Sequence, residues 1–193
     1  MAQTDPIQRF KTSLTRAERT GMTLPNAFSL ATAARGRKPS VRMMLLKGVD
    51  TRGFLFYTNL KSRKGKELVE NPHVSLCFWW PPLKEQVRVE GKVRRIQGGE
   101  ADEYFATRPR GSQLGAWASK QSETLTTRQN LLKEMERLRK LYKGKEVPRP
   151  PFWSGFVVIP DKIEFWFGRP DRLHERILYT RHGKSWKRTL LYP

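Results

Sequence analysis

The sequence predicts a mainly β protein with peripheral helices, arranged as a small antiparallel barrel. Many short segments of strand length are separated by turns rich in glycine, proline and charged residues. The clearest segment is 86–96, in which valines and a glycine alternate with polar or charged side chains, as in a strand with one buried face. The chain lacks the regular strand–helix alternation of a doubly wound sheet.

The individual elements follow from apolar spacing and from residues that begin or end them. Helices are predicted at 5–20, 62–70, 99–108 and 126–142. Ser62 is the expected N-cap of the second helix, and 126–142 has the most regular apolar stripe. Strands are predicted at 26–33, 40–47, 53–58, 73–80, 86–96, 156–159, 162–167, 173–179 and 185–191.

The length of 193 residues fits one domain with a sizeable core. We expect residues 1–24 to form an N-terminal segment that is helical or partly disordered, and residues 25–193 to form a single domain. The first residues lack the apolar core of a signal peptide, and no apolar run approaches the roughly 20 residues of a membrane span. A soluble, cytoplasmic protein without a membrane partner is therefore expected.

The composition bounds the kinds of partner and of site. A formal net charge of +20 indicates attraction to phosphate-bearing partners, without distinguishing nucleic acid, a membrane surface or small phosphorylated ligands. The single cysteine, Cys77, has no partner for an intramolecular disulfide, and only three histidines are present, which argues against a Cys/His metal site. Cys77 is interpreted as a small buried hydrophobe.

Several common catalytic motifs are missing from the sequence. There is no Gly-x-Gly-x-x-Gly after a strand, no complete Gly-x-x-x-x-Gly-Lys-Ser/Thr phosphate loop, no His-Glu-x-x-His and no Gly-x-Ser-x-Gly. These absences argue against a dinucleotide-binding domain of the doubly wound type, a phosphate-loop nucleotidase, a zinc protease and an α/β-hydrolase.

A first candidate anion site joins the end of one predicted strand to the start of a helix. Arg42 and Lys47 bracket the strand 40–47, while Tyr57-Thr58-Asn59 leads into Ser62-Arg63-Lys64. Backbone N–H groups at a helix N-terminus, assisted by arginine and lysine, bind anions. The alternative, a solvated basic face, stays equally open because basic residues occur throughout the chain.

A second candidate site surrounds the sequence Arg108-Pro109-Arg110. Tyr104, Arg108, Arg110 and Ser112 lie close together along the chain. An arginine that forms bidentate hydrogen bonds, with a hydroxyl as a further donor, suits a phosphate group. This cluster therefore favours a phosphorylated ligand.

A third candidate lies near the C-terminus, where a predicted strand follows a turn. Because side chains alternate along a strand, Arg172, His174 and Arg176 are expected on one face and Leu173 and Ile177 on the other. Grouping two guanidinium groups around an imidazole gives little stability by itself. The row predicts an anionic or electron-rich ligand, although a solvated edge strand is an equally simple interpretation.

Trp166 stands on the polar face of its predicted strand, together with Lys162 and Glu164. A tryptophan at such a position indicates a planar ligand or a subunit contact. Two phosphate-suited clusters, this tryptophan and the basic C-terminal row together suit a phosphorylated aromatic cofactor and a phosphorylated substrate. The chemistry of the residues alone goes no further.

The chain resembles the pyridoxine/pyridoxamine 5′-phosphate oxidase family of FMN enzymes, in motifs that occur in family order from about residue 25 to the end. The matching motifs are Arg42-Met43-Met44-Leu45-Leu46-Lys47, Phe56-Tyr57-Thr58-Asn59, Ser62-Arg63-Lys64, Glu85-Gln86-Val87-Arg88-Val89-Glu90-Gly91, Tyr104-Phe105, Arg108-Pro109-Arg110, Ser112-Gln113-Leu114-Gly115-Ala116-Trp117, Lys120-Gln121-Ser122, Ile163-Glu164-Phe165-Trp166 and Arg172-Leu173-His174-Glu175-Arg176. Together these motifs are highly specific.

The resemblance implies an antiparallel Greek-key split barrel that works as a homodimer, with FMN at the subunit interface. It implies FMN contacts at Arg42, Met43, Met44, Leu45, Leu46, Lys47, Tyr57, Thr58, Arg63, Lys64, Gln86, Gln121, Ser122, Trp166 and Arg176. It implies substrate contacts at Lys47, Tyr104, Arg108, Ser112, Arg172 and His174, the last two being the catalytic residues, which lie over the pyridine ring.

The resemblance also implies the reaction. Members of the family convert pyridoxine 5′-phosphate or pyridoxamine 5′-phosphate to pyridoxal 5′-phosphate, with hydride passing from substrate C4′ to flavin N5. Oxygen then accepts the electrons as hydrogen peroxide, and the amine substrate also releases ammonia. A small phosphorylated pyridine and oxygen are thus the expected partners, and no metal is expected.

Three features depart from the family pattern or conflict with simple geometry. The segment before the first strand is short, which leaves a lid function open. Glu175 stands where the family usually has aspartate, a change we expect to be tolerated. Arg42 and Lys47 would face opposite sides of an ideal strand, so a bulge or strong twist is expected between them if both reach the ligands.

Two other functions are compatible with parts of the sequence. A sibling flavin oxidase could act on another substrate, such as a phenazine-pathway intermediate, although the phosphate-binding set at Lys47, Tyr104, Arg108 and Ser112 argues against it. A basic nucleic-acid-binding barrel would account for the charge but leaves the ordered motifs unexplained. The sequence does not distinguish the two phosphorylated substrates, and it leaves a second product site and the role of the high charge open.

Overall fold

The computed structural model describes residues 5–36 and 38–193. In this part of the chain the helices are α1 (Pro6–Arg19), α2 (Arg63–Glu70), α3 (Gly98–Ala106), α4 (Arg110–Ala118) and α5 (Arg128–Leu141). The strands are β1 (Ala27–Thr32), β2 (Ser40–Leu45), β3 (Gly48–Asp50), β4 (Gly53–Asn59), β5 (His73–Trp80), β6 (Glu85–Arg95), β7 (Trp153–Phe167), β8 (Glu175–His182) and β9 (Ser185–Leu191). Short 3-10 turns occupy Pro81–Leu83 and Pro170–Arg172.

The strands form one antiparallel sheet with the order β2-β1-β5-β6-β7-β4-β3, and β8 and β9 extend it from β7. The two ends of this path, β2 and β3, are consecutive in the chain and are joined by Leu46 and Lys47. The backbone N–H of Leu46 donates to Asn26 beside β1, whereas that of Lys47 donates to Leu55 in β4 (2.9 and 2.8 Å). The sheet therefore curls round on itself, which confirms the predicted split-barrel class.

Strand β7 is the long element that divides the sheet. Its first half pairs with β4 through Val158, and its second half pairs with β8 from Lys162 onward. On its other side it pairs with β6 throughout, with a register shift at Gly91, opposite Pro160. A Cβ atom on Gly91 would lie 2.2 Å from the carbonyl oxygen of Ile159, so only glycine allows this close approach.

The main core is aromatic and includes the N-terminal helix. Phe10 of α1 is fully buried, and its ring makes edge contacts with Phe54 and Phe78, with centroids 4.8 Å apart in each pair. The buried carboxylate of Glu85 at the start of β6 accepts hydrogen bonds from Ser13 and Arg16 of α1. Helix α1 is thus packed into the barrel, a geometry unlike that of a mobile lid.

The predicted elements are found with four differences. Helix α4 is an addition to the predicted elements, and the strands expected at 156–159 and 162–167 are one continuous β7. The strand expected at 40–47 ends at Leu45 and is followed by a further short strand, β3, which the sequence did not predict, while β8 covers Glu175–His182 where 173–179 was expected. Ser62 caps α2 as predicted, because its hydroxyl accepts the backbone N–H of Gly65. Residues 1–4 of the N-terminal segment, and Arg37 in the predicted turn, lie outside the described residues.

Two smaller expectations concern burial and membranes. Cys77 is half-buried in β5, and burial raises the pKa of its thiol. Among the described residues, no helix combines the length and the apolar character needed to cross a membrane.

Candidate functional site

A cavity of about 680 Å³ lies beside the sheet, between β2–β3, β4 and helices α3 and α4. This volume falls within the range of roughly 300–1,000 Å³ typical of small-molecule sites. Eleven of the residues predicted to bind cofactor or substrate line it: Met43, Met44, Leu45, Lys47, Tyr57, Thr58, Lys64, Tyr104, Arg108, Ser112 and Gln121. The fold therefore brings part of the first candidate anion site and part of the second together in one cavity.

Arg108, from the turn between α3 and α4, carries an unmet hydrogen-bond donor. Its Nη1 atom is buried without a hydrogen-bond partner among the described residues. Burial lowers the pKa of Arg108, an effect that nearby Tyr104 partly offsets. A buried guanidinium donor without an acceptor is costly, and an anion in the cavity would satisfy it.

Three aromatic rings form one wall of the cavity. Tyr57 is stacked on Tyr104 (centroids 4.0 Å apart, planes at 14°) and on Trp153 (5.1 Å, 8°). The third pair, Tyr104 and Trp153, is also nearly parallel at 7°. Burial raises the pKa of Tyr57 to about 12, so its hydroxyl stays protonated at neutral pH. The wall joins a residue predicted to contact the cofactor to one predicted to contact substrate.

Lys64, in the first turn of α2, is a buried cation directed at the cavity. Its Nζ atom lies 3.3 Å from Oγ1 of Thr58 and 3.4 Å from Oε1 of Gln121, within hydrogen-bonding distance of both. Burial, with a smaller contribution from the charge of Arg42, lowers the pKa of Lys64 to about 8. No carboxylate among the described residues forms a salt bridge with this lysine, so its charge is available to an anionic ligand.

Arg42 does not line the cavity and is instead tied to Glu67 of α2. The distance from Arg42 Nη2 to Glu67 Oε2 is 3.3 Å, and Arg63 Nε donates to the other carboxylate oxygen at 2.8 Å. Burial alone would raise the pKa of Glu67, but hydrogen bonds from Thr32, Ser40 and Arg63 outweigh it and bring the pKa to about 2. One ionised carboxylate therefore holds both arginines.

The irregularity expected between Arg42 and Lys47 is a change of strand partner. The chain leaves β1 at Leu46 and joins β4 at Lys47, and Leu46 is buried in the main core while Lys47 reaches the cavity. Arg63 and Ser122 line a neighbouring groove. Of the predicted cofactor contacts in these segments, Arg42, Leu46, Arg63 and Ser122 thus lie outside the cavity lining itself.

A second group of predicted residues lies on β6, β7 and β8. Gln86 and Arg176 are the register partners of Trp166 on its two sides, and the ring of His174 lies 4.5 Å from that of Trp166. Glu164, 5% exposed, accepts a hydrogen bond from Arg176 Nε at 2.8 Å, and its other oxygen pairs with Arg88. Within one chain, none of these residues lines the first cavity.

The C-terminal row was predicted wrongly as a single strand face. Strand β8 begins at Glu175, and Arg172 lies in the preceding 3-10 turn with φ of 60°, next to Asp171 at 55°. Two consecutive positive φ angles are incompatible with an extended strand. Accordingly Leu173, expected on the same strand face as Ile177, is 71% exposed while Ile177 is buried.

His174 and its neighbours are fixed by this turn. The Nδ1 atom of His174 accepts the backbone N–H of Arg169 at 3.1 Å, so the neutral ring carries its proton on Nε2. Glu175, the departure from the family pattern, pairs with Arg169 (3.0 Å) and not with Arg172. His174 is therefore oriented with a donor available.

Arg110, which the sequence placed with the second cluster, points elsewhere. Its guanidinium donates to the carbonyl oxygens of Tyr142 and of Lys145 (2.9 Å for the latter), at the C-terminal end of α5. An arginine beyond the C-terminal end of a helix can hydrogen-bond the carbonyls of the turn that follows it. Arg110 thus fixes α5 against α4 and takes no part in the cavity.

Sequence reasoning assigned no role to Glu67, Glu164 or Trp153. Glu67 follows Arg63 by four residues on a predicted helix, a spacing that indicates an ion pair. Glu164 was predicted to share a strand face with Trp166, but its two arginine partners were not predicted. For Trp153 no local pattern was available, because its contacts come from residues about 50 and 100 positions earlier in the chain.

Two family models cover most of the chain. Residues 14–142 match the family described as "Pyridoxamine 5'-phosphate oxidase", and residues 153–193 match a "Pyridoxine 5'-phosphate oxidase C-terminal dimerisation region". Similar curated proteins include the pyridoxine/pyridoxamine 5′-phosphate oxidases of Rubrobacter xylanophilus and of Myxococcus xanthus. The first is 52% identical over 100% of this chain and 88% of the relative, and the second is 51% identical over 100% and 94%.

Solved structures agree in fold. PhzG from Burkholderia lata, in complex with tetrahydrophenazine-1-carboxylic acid, has a TM-score of 0.94 and 33% identity, covering 100% of this chain and 94% of that one. An FMN-binding protein from Nostoc punctiforme, related to pyridoxamine 5′-phosphate oxidase, has a TM-score of 0.78 at 16% identity, covering 99% and 100%. The latter likeness concerns the fold alone.

The curled antiparallel sheet, with a basic, aromatic cavity beside it, defines a split-barrel protein of the class to which these solved structures belong. The chain belongs to the pyridoxamine 5′-phosphate oxidase family, whose members are oxidoreductases. Its C-terminal 41 residues, 153–193, correspond to the dimerisation region of that family and contain Trp166, His174 and Arg176.

Proposed function

We propose that this protein oxidises pyridoxine 5′-phosphate or pyridoxamine 5′-phosphate to pyridoxal 5′-phosphate, with FMN as cofactor and oxygen as electron acceptor. The observation that carries the proposal is the unpaired, buried Nη1 atom of Arg108 in a cavity that also presents Lys47, Tyr104 and Ser112. These groups supply two cations and two hydroxyls, which is the donor set that a phosphate monoester requires. The names of relatives about 50% identical along the whole chain support the same substrate class.

The residues present also fit the phosphate of FMN. Lys64 and Gln121 line the cavity near Thr58, and the carboxylate of Glu67 holds Arg63 at the adjoining groove. Bound FMN would supply the redox chemistry, namely removal of hydride from C4′ of the substrate and its transfer to oxygen as hydrogen peroxide. The chain itself binds, orients and shields the reactants.

The second residue group would complete the site across a homodimer. His174, Trp166 and Arg176 lie in the family's dimerisation region, yet within one chain they do not reach the cavity. In the proposed dimer, this group of one subunit faces the cavity of the other. His174, with its proton on Nε2, and Arg172 would then donate hydrogen bonds to the pyridine ring substituents of the substrate and hold it against the flavin.

An assay on the purified protein tests the proposal directly. We expect yellow protein that releases FMN on denaturation, and that forms hydrogen peroxide and pyridoxal 5′-phosphate from either phosphorylated substrate. Ammonia should form from the amine alone. A protein that takes up FMN but forms no peroxide with either compound would overturn the proposed activity.

A second candidate is a sibling oxidase that acts on a reduced tricyclic carboxylic acid. The TM-score of 0.94 with PhzG, whose structure contains tetrahydrophenazine-1-carboxylic acid, favours it. The same peroxide assay separates the two, with that compound offered beside the phosphorylated pyridines. Because four side chains that can donate hydrogen bonds to a phosphate line the cavity, we expect the phosphorylated pyridines to be oxidised with the higher kcat/KM.

A further inference from the structure

Arg108 is held by aromatic rings and by no carboxylate. Its guanidinium carbon lies 4.8 Å from the centroid of Trp153 and 5.4 Å from that of Phe105. Among residues 5–36 and 38–193, Arg108 forms no salt bridge, and its Nη1 atom has no hydrogen-bond partner. The position of this charge therefore depends on the aromatic side chains beneath it.

Trp153 is itself rigidly placed. It is the first residue of β7, is 7% exposed, and is paired in register with Asn59 of β4. Its backbone N–H donates to Pro150 (2.9 Å), and its carbonyl oxygen accepts a hydrogen bond from Arg149 (2.7 Å). Because the backbone is fixed on both sides, the indole presents a constant face to Arg108.

Besides Arg108, the indole of Trp153 contacts two other aromatic side chains near the cavity. Trp153 stacks on Tyr57 and packs edge-on against Phe105 of α3, with centroids 5.1 Å apart in both pairs. Phe105 directly follows Tyr104, which stacks on Tyr57 in turn. Trp153 thus contacts Arg108 and lies beside Tyr104, two of the four groups that would bind a substrate phosphate.

We propose that Trp153 is a positioning residue, whose indole face holds the Arg108 guanidinium charged and unpaired in the cavity so that the protein selects ligands bearing a phosphate dianion. The inference rests on the proposed function, which it deepens by assigning the origin of phosphate selectivity. An aromatic face orients a guanidinium through cation–π attraction and leaves its donors free. A carboxylate in the same place would fix the arginine but would also neutralise it and occupy its donors.

The test measures binding by isothermal titration calorimetry to the protein loaded with reduced FMN under anaerobic conditions, so that neither probe is oxidised, with pyridoxine 5′-phosphate and pyridoxine as matched probes. Trp153→Leu should weaken binding of the phosphorylated probe by roughly ten-fold and that of pyridoxine by less than about two-fold. Trp153→Phe keeps a smaller ring and should give an intermediate loss of about three-fold. Equal weakening of both probes would overturn the inference.

Trp117→Leu is the matched control. Trp117 packs against the same minor core as Trp153, but its Nε1 donates to Pro148 and its ring contacts Phe152, without lining the cavity. This variant should lose stability without changing the ratio of the two dissociation constants. A comparable loss of selectivity in Trp117→Leu would show that core disruption, and not the contact with Arg108, causes the effect.

A double-mutant cycle tests whether Trp153 acts through Arg108. In an Arg108→Gln background, Trp153→Phe should have almost no further effect on the phosphorylated probe, because the cation that it positions is gone. Additive losses would overturn the inference. Thermal midpoints and FMN content identify variants that fail to fold, and Trp153→Phe keeps the cycle usable if Trp153→Leu does not fold.

Binding and turnover separate the failure of this inference from failure of the proposed function. If wild-type protein prefers the phosphorylated probe but forms no peroxide, the proposed oxidase activity fails and the role of Trp153 is still measured. If peroxide forms but Trp153→Leu leaves the binding preference intact, the oxidase stands and the inference fails. Wild-type protein without any preference for the phosphorylated probe would overturn the role of Trp153.

Discussion

The arginines proposed to bind the cofactor and Arg108, proposed to bind the substrate phosphate, are held in place by different chemistry. Arg42 and Arg63 share the buried carboxylate of Glu67, and Arg176 is bound to Glu164. Arg108 has aromatic neighbours instead and keeps a buried, unpaired nitrogen. The two groups differ in how much of their charge and of their donors remains for a ligand.

The difference fits two kinds of ligand. A carboxylate keeps an arginine in one conformation whether or not the ligand is present, at the expense of part of its charge. That arrangement suits a cofactor that remains bound. An arginine resting on an aromatic face keeps its full charge, and the cost of its unmet donor is relieved only when an anion arrives. This arrangement suits a substrate that must be recognised at each turnover.

The largest effect is expected from Arg108→Ala. Removing the unpaired guanidinium should lower kcat/KM for pyridoxine 5′-phosphate by roughly 100-fold, about 3 kcal/mol, because a charge-assisted hydrogen-bond pair is lost from a buried position. The FMN content should stay at the wild-type level, since the carboxylate-held arginines are untouched. Steady-state kinetics and flavin absorbance measure both. Loss of FMN together with activity would contradict the division between the two groups.

Glu67→Gln tests the other side of the comparison. The neutral side chain leaves Arg42 without its counter-charge, so the free energy of unfolding should fall by about 2 kcal/mol. This value is smaller than that of a fully buried ion pair because Arg63, the other partner of Glu67, is exposed to solvent. FMN should bind roughly ten-fold more weakly, because both arginines lose their fixed orientation. Denaturant titration and fluorescence quenching of FMN measure these changes. The ratio of pyridoxine 5′-phosphate to pyridoxine binding should not change.

The same variant has a distinct pH dependence. The folded-state pKa of Glu67, about 2, lies below its ordinary value of 4.5, so its contribution to stability is complete above pH 4.5. That contribution is lost as the pH falls from 4.5 through about 2. In Glu67→Gln, stability should therefore fall less over this window than in the wild type. Parallel curves for the two proteins would contradict the assigned ionisation.

Lys64 gives a smaller effect, which appears in the affinity for FMN. Its pKa of about 8 in the free protein means that a growing fraction is neutral as the pH rises above 8, whereas a bound phosphate favours the charged form. Affinity should thus fall by up to about ten-fold per pH unit above pH 8. Lys64→Arg should remove this dependence, because arginine stays protonated. Titrations of FMN between pH 7 and 9 measure it.

Much of the fold could be predicted because it is encoded in local patterns. The alternation of Val87 and Val89 with polar residues identified β6, and Ser62 identified the start of α2. The C-terminal row was predicted wrongly for the same reason. Period-two spacing at Arg172 predicts a strand, but positive φ angles at two non-glycine residues depend on packing that local sequence does not reveal.

The grouping of the site residues depended on long-range contacts. The family motifs contain most of the residues that line the cavity, and the fold brings eleven of the predicted ligand contacts together there. What could not be predicted is which arginine has a carboxylate partner, because Glu67 and Arg42 are 25 residues apart and Arg176 reaches Glu164 across a strand pair. Arg108 and Arg110 look equivalent in sequence, yet one lines the cavity and the other caps a helix.

Arg110→Ala gives the smallest expected change and is the matched partner of Arg108→Ala. Loss of the hydrogen bonds to Tyr142 and Lys145, just beyond α5, should lower the free energy of unfolding by about 1 kcal/mol. The selectivity for pyridoxine 5′-phosphate over pyridoxine should stay within about two-fold of the wild type, because Arg110 lies outside the cavity. Denaturant titration and calorimetry on both probes measure the two quantities. A loss of phosphate selectivity comparable to that of Arg108→Ala would mean that the two arginines act together. The distinction between Arg108, whose charge is kept for the ligand, and Arg110, whose charge stabilises the fold, would then be wrong.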